Sequence, residues 1–300
     1  MKLEPLTPVH LTGFADYCRR HRNEVDDSFL YEEDLAAFEP NSDNPTYILT
    51  NEQGRITAVA SLILNEYYRR GRKGRFRIFH SEKDDLQCYS TLFQGILQHV
   101  DGLDQVFLYV PLANASIQRR MSELSFQVER YAFILVRDVN HIPPYHLPNG
   151  YEFRPFVVNR DEAAYCHIRN IAFANLAGSE TPITPKMVSD MTKAPDYIEG
   201  GVLLLYHCEE PIGILRCSSD EWEDQPVMNI GPLALIPEYQ GRGLGRILLR
   251  KALQFTKDYG YDRAYLSVNG ENERAKSLYL SEGFQQVEGV ACNVYKLPSK

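Results

Sequence analysis

Leu233-Ala234-Leu235-Ile236-Pro237-Glu238-Tyr239-Gln240-Gly241-Arg242-Gly243-Leu244-Gly245 reads as an apolar strand that stops at a proline and turns through three glycines into a helix. Past the turn, Leu244, Leu248, Ala252, Phe255 and Tyr259 recur at helical spacing until Gly260 breaks the pattern. Glycines let successive backbone N–H groups converge with no side chain in the way, and the start of a helix adds partial positive charge. The stretch therefore has the makings of a pyrophosphate cradle. It lacks the Gly-Lys-Ser/Thr ending of a P-loop. A dinucleotide-binding Rossmann unit needs parallel βαβ connections, which the surrounding hairpins argue against.

Outward from this loop, Phe153 to Phe156 reads as a strand and Asp161 to Phe173 as a helix. Val202 to Cys208 and Ile212 to Cys217 form a hairpin about Glu209-Glu210-Pro211, followed by a strand over Val227 to Ile236. Ala264 to Val268 is a strand, Glu273 to Glu282 a helix and Cys292 to Leu297 a last strand. The first half repeats the order. Strands cover Tyr47 to Thr50, Ile56 to Leu64 and Arg75 to Phe79; then come a helix through Leu92 to Val100, a strand at Val106 to Val110, a helix at Ser116 to Leu124 and a strand at Tyr131 to Val136. Leu266 and Leu108, Val268 and Val110, Asn272 and Asn114, and Phe284 and Phe126 all stand 158 apart (266 − 108), so the halves are a duplication. His141 to Gly150 carries three prolines that neither a helix nor a central strand accepts. The expectation is an α+β chain of two units, residues 1–140 and 151–300 about a linker at 141–150, each a mixed, largely antiparallel sheet flanked by helices.

Leu266-Ser267-Val268-Asn269-Gly270-Glu271-Asn272-Glu273-Arg274-Ala275-Lys276-Ser277-Leu278-Tyr279-Leu280-Ser281-Glu282-Gly283-Phe284 completes the pattern. With the glycine turn, it resembles the GCN5-related N-acetyltransferase (GNAT) superfamily: a Q/R-x-x-G-x-G/A loop, a strand, an N-x-x-A-x-x-L-Y segment and a closing Gly-Phe. Every one of those positions is present, in order, over residues 233–284. The resemblance implies acetyl-CoA as co-substrate. Leu233, Ala234 and Leu235 would pair with the pantetheine arm like a missing strand. Gln240, Gly241, Arg242, Gly243, Leu244 and Gly245, with Arg246 at the start of the helix, would hold the pyrophosphate. Asn272 would touch the coenzyme arm, cap the helix behind it, or both. Tyr279 would protonate the departing thiolate, since a phenol of pKa ~10 stays protonated at neutral pH.

One position departs from the family. Eleven residues ahead of Gln240, where many members carry a glutamate as general base, stands Asn229, whose amide takes no proton. Glu199, His207, Glu221 and Glu223 are open alternatives, as is an acceptor that arrives neutral. The 158 offset puts Glu82-Lys83-Asp84-Asp85-Leu86-Gln87 opposite the glycine turn and Met121 opposite Tyr279. With no glycine and two added carboxylates, the first copy reads as one that has lost its coenzyme site.

Composition bounds the rest. The 300 residues are 44% hydrophobic and 24% charged, with a net charge of −8, so a folded chain that repels nucleic acid and anionic lipid over most of its surface is expected. Arg69-Arg70-Gly71-Arg72-Lys73-Gly74-Arg75 is the one basic run and reads as a solvated hairpin tip with aromatics packed inward on alternate positions. Asp220-Glu221-Trp222-Glu223-Asp224 is a turn, or an acidic lip for a cationic amine. The six cysteines lack metal or disulfide spacing, and no metal site is expected. The N-terminus resembles no signal peptide and no apolar run would span a bilayer, which points to the cytoplasm. The expected activity is direct acetyl transfer from acetyl-CoA to a primary amine of a small molecule or peptide. Its rivals are a non-catalytic coenzyme-binding module and a tandem aminoacyl-tRNA-dependent transferase that would use the basic run.

Overall fold

The computed structural model describes residues 2–223 and 225–298. Met1 and Asp224, both part of the reading above, lie outside them, as do residues 299 and 300. The chain forms two compact units, Met1–Ala132 with Glu288–Lys300, and Phe133–Val287.

The elements of the first repeat are β1 (Lys2–Pro5), α1 (Leu11–His21), α2 (Glu32–Ala36), β2 (Thr46–Thr50), β3 (Ile56–Ile63), α3 (Glu66–Arg70), β4 (Lys73–Ser81), α4 (Leu86–Ile96), β5 (Gln105–Pro111), α5 (Ala115–Glu123) and β6 (Gln127–Asp138). The second repeat holds β7 (Tyr151–Pro155), α6 (Glu162–Ala172), α7 (Pro185–Met191), β8 (Tyr197–His207), β9 (Glu210–Trp222), β10 (Gln225–Leu235), α8 (Leu244–Asp258), β11 (Arg263–Asn269), α9 (Glu273–Ser281) and β12 (Gln285–Lys296). The duplication is precise in the last four elements. α4 and α8 begin 158 apart, and β5 with β11, α5 with α9 and β6 with β12 keep that spacing at both ends (263 − 105, 296 − 138).

Each unit is a sheet between helices. In the first, the order is β1-β2-β3-β4-β5-β12, with β4 and β5 parallel and the other neighbours antiparallel. Strand β3 is buried along its whole length because both faces are covered, which is why it is apolar but for the hydroxyls of Thr57 and Ser61. Ala58, Ala60 and Leu62 join Leu92, Phe93 and Ile96 of α4, while Val59 joins Phe14 and Tyr17 of α1. In the second unit the order is β6-β11-β10-β9-β8-β7, and β10 with β11 is the parallel pair. Met228 and Ile230 pack on Leu244, Leu248, Leu249, Ala252 and Leu253 of α8, whereas Ala234 turns to Tyr165 and Ile168 of α6. Phe255 packs partly buried against the same core, whereas Tyr259, expected on that stripe, is the C-cap of α8 and 53% exposed.

The boundary expected at 141–150 is corrected. Phe133–Asp138 of β6 belongs to the second unit and Glu288–Lys296 of β12 to the first. The N–H of Val139 donates to the Asp262 carbonyl at 2.9 Å, and the N–H of Leu297 to the Asp104 carbonyl at 2.9 Å. These are one hydrogen bond written twice, 158 residues apart, and each joins the end of one repeat to the other repeat's sheet. Strand β6 ends at Asp138, ahead of the prolines, and by then it has already paired away from its own repeat.

Candidate functional site

Strand β10 pairs with β9 from Gln225 to Ile230 and again from Leu233 to Leu235, with a slip in register between. Its parallel partner β11 meets it only at Met228 and Asn229. Beyond Asn229 the two strands part, so Leu233, Ala234 and Leu235 pair with no residue of β11 among the described residues, and on that edge the Leu235 carbonyl is taken by the Gln240 side chain. An open backbone edge of this kind accepts an extended, amide-bearing chain.

At the end of β10 the chain makes a single turn over Pro237–Tyr239, and the side-chain amide of Gln240 donates back to the Leu235 carbonyl at 3.0 Å. Gln240 therefore pins the turn to the strand. Gly241 and Gly243 hold φ of 82° and 80°, a region that side chains other than glycine's rarely enter. Gly243 is the N-cap of α8 and supplies no side-chain acceptor. The N–H groups of Gly241, Arg242, Gly243, Leu244 and Gly245 donate to no acceptor among the described residues; the first internal bond is Arg246 N–H to the Gly243 carbonyl, 3.1 Å. Gly241, Arg242 and Gly243 are exposed. Five adjacent N–H groups without an internal acceptor, three of them on exposed residues, lie at a helix start, the kind of place where an anion of phosphate type can be held.

Arg246 does not point its charge at that nest. Its guanidinium pairs with Glu282 and with Ser281 Oγ at 3.1 Å, and Arg250 joins Glu282 at 2.7 and 2.8 Å. The Glu282 side chain is 1% exposed; burial works against its charge, yet the two guanidiniums hold it below the usual carboxylate range. Arg246 fastens α8 to the end of α9, and its own N–H is taken by the Gly243 carbonyl.

Asn272 is the N-cap of α9, its Oδ1 accepting the Ala275 N–H at 3.1 Å. Asn114 makes the same bond to Ile117 at 3.1 Å, so capping accounts for an asparagine at both positions. Tyr279 is half-buried, its ring centroid 6.0 Å from that of Phe284. Burial pushes its phenol up to about 12, with no neighbouring charge contributing, so it carries its proton at neutral pH.

Asn229 donates through Nδ2 to Asp220 Oδ2 at 2.8 Å, and Asp220 Oδ1 accepts the Glu221 N–H at 2.8 Å. Burial raises the Asp220 carboxyl. Sequence reading did not single out Asp220. The signal was the β9–β10 hairpin, whose register puts Asp220 opposite Val227 and hence on the face of Asn229. Of the alternatives named from sequence, His207 Nδ1 meets the Tyr239 hydroxyl at 2.9 Å, and Glu199, Glu221 and Glu223 are exposed.

The segment between Asn175 and Gly201 is stitched to its surroundings. Arg169 donates to the Thr181 carbonyl at 2.6 Å, Asn170 exchanges two bonds of 2.9 Å with Ile183, and Asn269 at the end of β11 donates to the Ala177 carbonyl at 3.0 Å. That last bond brings the segment to the strand that lines the gap.

The first unit handles the same positions differently. Glu82 N–H bonds the Thr57 carbonyl, Lys83 N–H the Ser81 hydroxyl, Asp85 N–H the Lys83 carbonyl, and Gln87 N–H the Asp85 carboxylate, which caps α4. Asp84 is gripped by Arg120 and Arg119 at 2.6 and 2.5 Å, and the Arg120 hydrogen bond pulls its carboxyl down to about 2. Met121 is fully buried. The basic run is dispersed rather than solvated throughout: Arg69 pairs with Asp43, Arg72 with Asp104, and Arg75 is buried against Asp26 at 2.5 Å with Phe29 and Tyr109 beneath it. A short helix, α3, occupies the expected hairpin tip. His21, Glu24 and His80, which sequence spacing did not connect, bring ligand-type atoms within 4.8 Å of one another. They already bond each other, Glu82 and Tyr17. All six cysteines are free, five of them buried and Cys208 exposed. No helix among the described residues is long and apolar enough to cross a membrane.

A family model described as the acetyltransferase (GNAT) family matches residues 170–284. The chain is 24% identical over 288 residues to the mycothiol acetyltransferase of Kytococcus sedentarius, covering 94% of this chain and 93% of that protein. To the mycothiol acetyltransferase of Kocuria rhizophila it is 30% identical over 217 residues, covering 67% and 68% respectively. Among solved structures, a GCN5-related N-acetyltransferase from Sphaerobacter thermophilus superposes with a TM-score of 0.72 at 18% identity, over 98% of this chain and 95% of that one. A tandem GNAT protein from the clavulanic acid biosynthesis pathway superposes with a TM-score of 0.72 at 12% identity, over 100% of both chains.

Proposed function

The chain belongs to the GNAT superfamily and is an N-acetyltransferase, and from that premise we propose that its second unit transfers an acetyl group from acetyl-CoA directly to a primary amine of a small molecule. The observation that carries the reading is the nest of five unaccepted N–H groups from Gly241 to Gly245 beside the open edge of Leu233–Leu235. The nest takes the pyrophosphate and the edge takes the amides of the pantetheine arm. That arrangement brings the thioester toward the point where β10 and β11 part. The mycothiol acetyltransferases to which the chain is similar favour a small molecule over a peptide as acceptor.

In the transfer, the amine nitrogen bonds to the thioester carbon and the carbon–sulfur bond breaks. A backbone N–H of β10 near Leu235 steadies the oxyanion that develops between those events. Tyr279, protonated in its half-buried setting, gives its proton to the departing thiolate. Asn272 keeps α9 in register by capping it and leaves its own Nδ2 group to donate toward the coenzyme arm.

The test is to incubate the purified chain with acetyl-CoA and a panel of small primary amines and to follow release of free thiol. Turnover with at least one amine, and calorimetric binding of coenzyme A that Gly243→Val abolishes, is the expected result. Absence of heat for coenzyme A on the intact chain overturns the reading.

A further inference from the structure

An amine acceptor in water at neutral pH is mostly ammonium, since a primary alkyl amine has a pKa of ~10, and it attacks only after losing a proton. Asn229, at the place where many family members carry a basic glutamate, takes no proton. Its amide is nonetheless engaged, donating to the Asp220 carboxylate at 2.8 Å. We propose that Asp220 is the general base of the transfer and that Asn229 is the residue that positions it; this rests on the acetyl-transfer reading above.

Three observations place Asp220 for the task. It shares a sheet face with Asn229, and Asn229 is the last residue of β10 paired with β11 before the strands part. The carboxylate therefore stands at the head of the gap that receives the thioester. It is half-buried, with one donor on each oxygen, Asn229 Nδ2 and the Glu221 N–H. Each oxygen has two lone pairs, so a free one remains for an incoming N–H. Finally, no cation among the described residues is bonded to it. The nearby arginine on β9, Arg216, is held by Asp196 at 2.5 Å. The other titratable groups around it are Tyr197 on β8, Glu221 beside it, and Tyr265, the β11 partner of Asn229. Burial and the Asp196 charge raise the carboxyl, which moves a weak base toward a useful one.

The step balances as follows. An ammonium proton passes to Asp220, leaving a neutral amine and a carboxylic acid. The amine lone pair forms the N–C bond, the C–S bond breaks, the thiolate takes the Tyr279 proton, and the second proton of the acylated nitrogen leaves to solvent. Phenolate and carboxylic acid then exchange protons with solvent after the products leave.

Asp220→Asn keeps shape and removes basicity. It is expected to lower kcat at pH 7 by roughly 100-fold or more, to leave the KM for acetyl-CoA within about two-fold, and to erase the acidic limb of the kcat/KM profile. Above the amine's own pKa the deficit shrinks, because the acceptor arrives neutral. Asn229→Ala removes a hydrogen bond to the charged carboxylate, so the acidic limb should move to higher pH. The double variant D220N/N229E, which puts a carboxylate back at the family's usual position, should regain turnover. If wild-type chain turns over an amine while Asp220→Asn retains its kcat and its acidic limb, the proposal falls and the acetyl-transfer reading stands. An unshifted limb in Asn229→Ala likewise removes the positioning role, and should Asp220→Asn not fold, that variant and the double variant decide. Wild-type chain that binds no coenzyme A sinks the underlying reading instead.

Discussion

The turns that open α4 and α8 stand 158 residues apart and lead into helices packed the same way, yet their amide hydrogens go to opposite places. After β4, side chains and carbonyls of the loop itself take them, with Asp85 as the cap. After β10, two glycines in left-handed conformations leave five of them without an internal acceptor, three on exposed residues. A helix start in water is satisfied either way. A self-capped start has fewer amides to offer an external anion, and the Asp84 carboxylate, kept charged by Arg119 and Arg120, disfavours one. An uncapped start is poorer for stability and ready for a ligand. One fold thus carries a closed and an open version of the same structural device.

Breaking the open version should have the largest effect. Gly243→Val forces a β-branched residue to a φ of 80°, although a Cβ there would meet nothing within 4 Å. The cost is backbone strain, and we expect the KM for acetyl-CoA to rise by about 100-fold through distortion of the nest, with near-UV circular dichroism unchanged. Gly245→Ala, by contrast, needs no unusual φ and makes only an ordinary 3.6 Å contact with Leu278, so it should change the KM little. Comparing the two variants in one assay separates conformation from mere glycine content.

Next in size is Tyr279→Phe. It should lower kcat by roughly 10- to 100-fold with the KM for acetyl-CoA unchanged, and the loss should be smaller with a thioester whose leaving thiol is more acidic. A Phe variant with full turnover would leave Tyr279 as a core aromatic, like its buried counterpart Met121.

The closed unit makes its own prediction in acid. Burial lowers His80 from its ordinary 6.5 to about 4, and the histidines beside Glu24 hold that carboxyl below its ordinary value despite burial. Both depressed values favour the less protonated form in the folded chain, so the His80 stabilisation is complete above pH ~6.5 and is lost as pH falls toward 4, and the Glu24 loss begins only below its ordinary 4.5. Glu82 and Tyr17, which contact the same group, belong to this network. The thermal midpoint should drop across that window, and His80→Gln should flatten the drop.

The smallest expected effect is also the sharpest check on the comparison. Replacing Asp84 and Asp85 with glycine removes both carboxylates and the cap from the closed turn. Calorimetry should still find no coenzyme bound at that turn when Gly243→Val has silenced the other, because the Glu82 and Lys83 amides remain bonded to Thr57 and Ser81. Binding there would mean that charge alone separates the two turns.

Much of this was legible before any coordinates. The glycine turn, the helix behind it and the N-x-x-A-x-x-L-Y segment are local patterns, and periodicity within a dozen residues is enough to read them. The 158 spacing carried the duplication and the loss of glycine in the first copy. Less legible were α1 and α3, short or weakly patterned helices whose existence depends on the sheet they cover. Arg246 looked like a phosphate ligand because it follows the loop, and it is Glu282, thirty-six residues on, that claims it. Asp220 hid in an acidic stretch that read as a turn until strand register set it beside Asn229.

By itself the sequence determined the kind of backbone at the glycine turn, the two-fold repeat and the family to which both belong, because glycine conformations, helical spacing and internal offsets are properties of neighbouring residues. Only the tertiary structure decided which charges are free to act, where the compact units divide and which carboxylate meets Asn229. Those depend on which strand lies beside which and in what register, and a slip of one residue would have turned each side chain to the opposite face.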